Sequence, residues 1–162
     1  MPSMAPEIHA LHRYFIWSSR MRDHFVESFE EGEHQEIRFP PSDHIDVRRF
    51  GYLSLWCSML YVLVEGWKEL RLSDQSVDAL LIDDNLELLR RFRNGAFHFQ
   101  REYLDGRFVA FLNKGEDILI WLAKLHQAFS QFFLRELHKA GFHWSISETA
   151  DGSATINAKR DA

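Results

Sequence analysis

The stretch Phe50–Leu70, FGYLSLWCSMLYVLVEGWKEL, carries two apolar stripes at helical spacing. With Val47 included, one stripe is Val47, Phe50, Cys57, Tyr61 and Val64. The other is Leu53, Trp56, Leu60, Leu63 and Trp67. A helix that is apolar on two sides is either central in a bundle or shared between its own core and a partner. Its uncharged run, Phe50 to Val64, is shorter than the ~20 residues that span a bilayer, and Ser54 and Ser58 interrupt it. The expectation is therefore a soluble helix from about Ser42 to Leu70, capped by Ser42 or Asp43 just after Pro41.

Working outward, the same period recurs on both sides. Ile8, Leu11, Phe15, Phe25 and Phe29 predict a first helix over about Glu7 to Phe29, ended by Gly32 and the Pro40–Pro41 pair. After the turn RLSDQ, Ser73 or Asp74 caps a third helix with a break expected near Asp83–Asn85. Its second half, NLELLRRFRNGAFHF, offers Leu86, Leu89 and Phe92 to the core. The run RFVAFL, set between the turn signals Asp105–Gly106 and Lys114–Gly115, reads equally as a short strand or an extra turn of helix. A long helix over about Glu116 to Ala140 presents Ile118, Trp121, Leu122, Leu125, Phe129, Phe132, Phe133 and Leu137 as one stripe. Leu119, Ile120 and Leu134 lie outside that stripe and suggest a partner surface. Beyond it, Trp144, Ile146, Ala154 and Ile156 alternate around Asp151–Gly152, which fits a small hairpin or a frayed end. The fold class expected is all-α: an antiparallel bundle of four to five helices over residues 1–143, with a short C-terminal tail or small hairpin over 144–162.

Composition narrows the chemistry. The 162 residues suit one domain, and 46% hydrophobic against 27% charged residues is a globular balance. With a single cysteine, Cys57, no intramolecular disulfide forms, and its apolar setting marks an inert buried thiol. The start MPSMAPEIHALHRYF lacks the layout of a signal peptide, so a cytoplasmic location is expected. The net charge of −5 argues against a general nucleic-acid coat. Charge is uneven, however. Five arginines (90, 91, 93, 101 and 107) stand against Glu102 and Asp105 between residues 90 and 107, a local +3 able to steer an anion.

Most catalytic classes lack their parts. There is no glycine-rich phosphate loop and no GxSxG elbow. His9 and His12 are three apart, and Glu31–His34 has the ExxH form used in carboxylate-bridged bundles. That chemistry needs two such motifs on rigid helices, so no metal and no cofactor are expected. His126 and His138 read as ordinary amphipathic positions.

What remains is LRRFRNGAFHFQRE, Leu89 to Glu102. Basic residues near a helix C-terminus meet its dipole favourably, which is the purely structural account of this cluster. The functional account needs few groups. An arginine donates bidentate hydrogen bonds to phosphate oxygens, an imidazole exchanges a proton near neutrality, and an amide orients either one. Together they suffice to drive a ribose 2′-OH onto the neighbouring phosphorus, with arginine stabilising the charge that accumulates. On a straight helix Arg91, Asn94 and His98 share a face, whereas Arg93 and His98, five apart, diverge by about 140°. Arg93 and His98 therefore need a bend, expected at Gly95, or a second chain to cooperate.

Arg93-Asn94-Gly95-Ala96-Phe97-His98 resembles the R-x(4–6)-H signature of the HEPN superfamily, with the polar residue that commonly follows the arginine. The resemblance in layout covers roughly residues 7–140 and places the motif towards the end of the third helix. It implies a metal-independent endoribonuclease of a toxin–antitoxin or anti-phage defence system. Arg93, Asn94 and His98 would be catalytic, and Arg90, Arg91 and Arg101 would be RNA contacts. It further implies a homodimer with a composite Arg/His cleft, RNA as substrate, and an antitoxin partner such as a nucleotidyltransferase-like protein. Some HEPN domains are non-catalytic modules that bind a nucleotide or a protein, so the fold alone leaves activity open. A plain helical interaction protein, with the motif a helix-end coincidence, is the third reading.

Overall fold

The computed structural model describes residues 5–30, 47–102, 105–148 and 154–160. They form six helices and one two-stranded sheet: α1 Pro6–Glu30, α2 Val47–Glu69, α3 Gln75–Leu81, α4 Asn85–Phe97, α5 Gly106–Leu112, α6 Glu116–Lys139, β1 Phe142–Glu148 and β2 Ala154–Arg160. The expected cap at Ser42 or Asp43 and the Glu31–His34 pair lie outside the described residues.

Helix α2 is the centre of the bundle. Its two stripes supply Leu53, Trp56, Cys57, Leu60, Leu63, Val64 and Trp67, all buried. Its neighbours α1, α4 and α6 cover these residues, while Val47, Phe50 and Tyr61 of the first stripe are only half-buried. Helix α1 runs antiparallel to it: Leu11 meets Gly66, the Ser18 hydroxyl reaches the Trp56 carbonyl, and Arg49 donates twice to the Ser28 carbonyl at 3.2 and 2.9 Å. On α2's other side Trp67 stands edge-on to Phe129 and Phe132 of α6. The eight-residue stripe expected on α6 is buried in full.

The third helix is two helices. Asp74 caps α3, its carboxylate accepting from the Ser76 and Val77 amides, and α3 ends at Ile82. The chain restarts at Asn85 as α4, so the expected break is a complete interruption. RFVAFL forms a helix, which settles the choice between strand and helix. Asp105 caps it through the Arg107 amide, and Phe108 and Phe111, three apart, are buried on one side. These two divisions give six helices where four to five were expected. The chain after α6 turns back as an antiparallel pair with Ile146 opposite Ile156 and Trp144 opposite Ala158.

Candidate functional site

Helix α4 sets its motif by anchoring the opposite face. Leu89 and Phe92 are fully buried, and Phe92 lies in an aromatic group with Phe111 (4.2 Å between centroids), Phe108 (5.3 Å) and Phe50 (6.0 Å). Gly95 belongs to this packing. A Cβ there would stand 3.0 Å from Phe108 Cε1, so the ring would have to give by a few tenths of an ångström. Gly95 does not end the helix: α4 continues through it to Phe97. Glycine is needed at this position for the close approach of α5.

The helix stops at His98, whose backbone is extended (φ −115°, ψ 136°) and whose N–H donates to the Asn94 carbonyl at 3.2 Å. A short relay holds the chain there. Asp105 binds Arg107 at 2.8 Å, Arg107 donates to Gln100 Oε1 at 2.9 Å, and Gln100 Nε2 donates to the His98 carbonyl at 2.6 Å. The backbone of His98 is thus tied to α5 while its imidazole stays exposed. Phe97 and Phe99 on either side are exposed too, Phe99 almost wholly at 92%.

Arg93 is held differently. Its Nη1 donates to Asn94 Oδ1 at 3.1 Å, and its Nη2 lies 3.7 Å from Glu65 Oε2 on α2. Arg93 and Asn94 therefore form a unit. Among the described residues no hydrogen bond joins either side chain to the His98 ring; the link is the backbone bond from His98 to Asn94.

The remaining arginines divide. Arg90 is engaged by Glu87 one turn back, with contacts of 2.7 and 2.6 Å. That pairing holds the Glu87 carboxyl below, and the Arg90 guanidinium above, its ordinary range. Arg91 and Arg101 are exposed. The local +3 read from residues 90–107 is consequently smaller in space, because Glu65 and Glu87 stand within it.

Sequence reasoning missed three contributors: Glu65, Tyr61 and Gln100. Tyr61 lies one turn before Glu65 on α2. Burial, then the Glu65 carboxylate, raise its phenol above the ordinary range, partly offset by Arg90 and Arg93. The available signal was that Glu65 is the first charge after a long uncharged run on a two-sided apolar helix. Its partner lies in a different helix and left no local trace.

Elsewhere Cys57 and His126 are packed away. Cys57 is fully buried, which pushes its thiol well up and out of reach of thiolate chemistry. His126 Nε2 sits 3.1 Å from Ser19 Oγ, and that hydroxyl also reaches the Phe15 carbonyl at 3.0 Å. Among the described residues no group of three or more His, Cys, Asp or Glu side chains is placed to hold a metal ion. Among them, too, no helix is long and apolar enough to cross a membrane. Compared with known proteins, the chain matches no family model, no curated protein and no solved structure.

Proposed function

We propose that the chain is an endoribonuclease of HEPN type that cleaves RNA without a metal, as a homodimer with composite Arg/His sites. The observation that carries this reading is the pairing of a preset Arg93–Asn94 unit with an exposed His98 at the end of the same helix. His98 takes the proton of a ribose 2′-OH, and the oxygen attacks the adjacent phosphorus. Arg93 stabilises the charge on the phosphoryl oxygens, and the 5′-oxygen leaves with a proton from an acid or water. The products are a 2′,3′-cyclic phosphate and a 5′-hydroxyl. Asn94 fixes the guanidinium plane, and the exposed Arg91 and Arg101 offer contacts to flanking phosphates.

The dimer is part of the proposal because, among the described residues, no hydrogen bond joins Arg93 to the His98 ring within one chain. Exposed Phe97 and Phe99, with Val109 and Leu112 on the adjoining α5, supply apolar surface beside the motif for a second copy. A role in toxin–antitoxin or anti-phage defence, in the cytoplasm and opposed by an antitoxin such as a nucleotidyltransferase-like protein, follows from the resemblance.

The test is cleavage of RNA by the purified protein in EDTA. His98→Ala and Arg93→Ala each lower the rate by roughly 10²-fold or more, and an all-2′-deoxy substrate is spared. Equal cleavage by wild type and His98→Ala defeats the assignment. One observation favours the rival, a non-catalytic HEPN-type module binding a nucleotide or a protein: carboxylates already engage Arg90 and Arg93. Ligand binding that survives His98→Ala, with no cleavage at any protein concentration, selects that rival.

A further inference from the structure

Three arginines near the motif are answered by carboxylates, and one of the three pairs differs from the others. Arg90–Glu87 and Arg107–Asp105 are direct contacts at 2.6 and 2.8 Å, each between residues close in sequence. Arg93–Glu65 spans two helices at 3.7 Å, too long for a hydrogen bond, with the side chains 29% and 48% exposed. An ion pair so exposed and so long is weak. A guanidinium has five N–H donors in a planar fork, and Asn94 engages Arg93 through Nη1. Arg93 Nη2 faces a carboxylate that it does not grip. A phosphodiester, offering two oxygens for short charge-assisted bonds, is the better ligand for that edge.

We propose that Glu65 is a counter-ion gate on Arg93: in the free protein its carboxylate occupies the anion position beside the guanidinium, and an RNA phosphate binds by displacing it. The gate rests on the ribonuclease reading above. It assigns opposite roles to the two partners of Arg93. Asn94 keeps the fork oriented whether the gate is open or shut, while Glu65 lowers affinity for any anion too weak to evict it. Tyr61, one turn before Glu65 and half-buried, lies within the electrostatic reach of Glu65, Arg93, Glu87 and Arg90. Glu65 touches substrate only by leaving, so its signature is in binding and salt dependence.

The experiment measures binding of a fluorescein-labelled 2′-O-methyl oligonucleotide, which carries the phosphates but no attacking hydroxyl, by anisotropy across a KCl series. Wild type, Glu65→Gln, Arg93→Ala and the double variant are compared. Glu65→Gln binds roughly fivefold tighter at low salt, the factor expected for one screened charge at this distance. The advantage shrinks as KCl rises and vanishes in the Arg93→Ala background. Binding by Glu65→Gln equal to wild type overturns the gate, and so does an advantage that persists without Arg93. If no variant binds the oligonucleotide, the RNA reading falls and the gate with it. If wild type binds and Glu65→Gln is unchanged, only the gate falls. Glu65→Ala provides the same readout without the amide.

Discussion

At the scale of single residues, His126 shows how a buried polar group is satisfied and what that costs. It is 8% exposed, between Phe15 and Trp56, and its Nδ1 has no hydrogen-bond partner. The arrangement that leaves least unsatisfied puts the proton on Nε2, which donates to Ser19 Oγ, which in turn donates to the Phe15 carbonyl. In that tautomer the ring cannot accept the serine proton, so the pair is a brace between α1 and α6 and no nucleophile. Burial, then the nearby Arg22 charge, lowers the His126 pKa from 6.5 to about 4. The unfolded chain therefore binds a proton that the folded one refuses between those values, and acidification favours unfolding. Stability falls as pH drops through 6.5 towards 4, by up to about 3 kcal/mol from this residue. His12, lowered by burial and by His9, adds to the effect in the same direction. Urea melts of wild type and His126→Gln across pH 7 to 4 check this, and parallel curves would refute it. The sequence presented His126 as one more amphipathic position because Ser19 lies 107 residues away. Glu65 was hidden from Arg93 for the same reason.

At the scale of elements, α4 and α5 form one unit, and Gly95 is where they touch. Phe108 packs edge-on to Phe50 and Phe92, which resist its displacement. Gly95→Val is expected to destabilise the fold by at least about 2 kcal/mol through overpacking, despite the lower chain entropy of valine. Chemical denaturation reads the loss directly. A variant as stable as wild type would mean that α5 is free to move away. The long helices were legible beforehand because their stripes run for many turns, and on α6 every expected core position is buried. The seven-residue α5 was not, since fewer than two turns show no period and a helix so short is stable only when docked. That docking also accounts for a glycine at position 95 inside the helix. In a bare sequence, glycine near a polar cluster signals a helix end, and the reason for it here is a ring from the next element.

At the scale of the whole molecule, the proposed cleavage requires Arg93 and His98 to act together. Among the described residues no side-chain hydrogen bond joins them within one chain, and α4 runs on through Gly95 to Phe97. A symmetric pair of chains supplies the alternative, in which each cleft takes Arg93–Asn94 from one copy and His98 from the other. This arrangement makes an arithmetic prediction. Arg93→Ala and His98→Ala homodimers are both inactive, because every cleft lacks one member. In a mixed dimer one cleft combines both defects, and the other combines the intact His98 of the first variant with the intact Arg93 of the second. Random exchange makes about half the dimers mixed, so unfolding and refolding the two variants together restores about a quarter of wild-type cleavage. The measurement is RNA cleavage in EDTA by the co-refolded mixture against each variant refolded alone. A mixture as inactive as its components, with exchange verified by differently tagged chains, places the cooperating residues within one copy. Val109→Glu on the α5 face lowers activity in parallel with dimer content if that face joins the chains, because a buried like-charge pair across a two-fold axis opposes association. Cleavage that stays constant while the dimer is lost would remove the composite cleft and leave Arg93–Asn94 and His98 as independent features of one helix end.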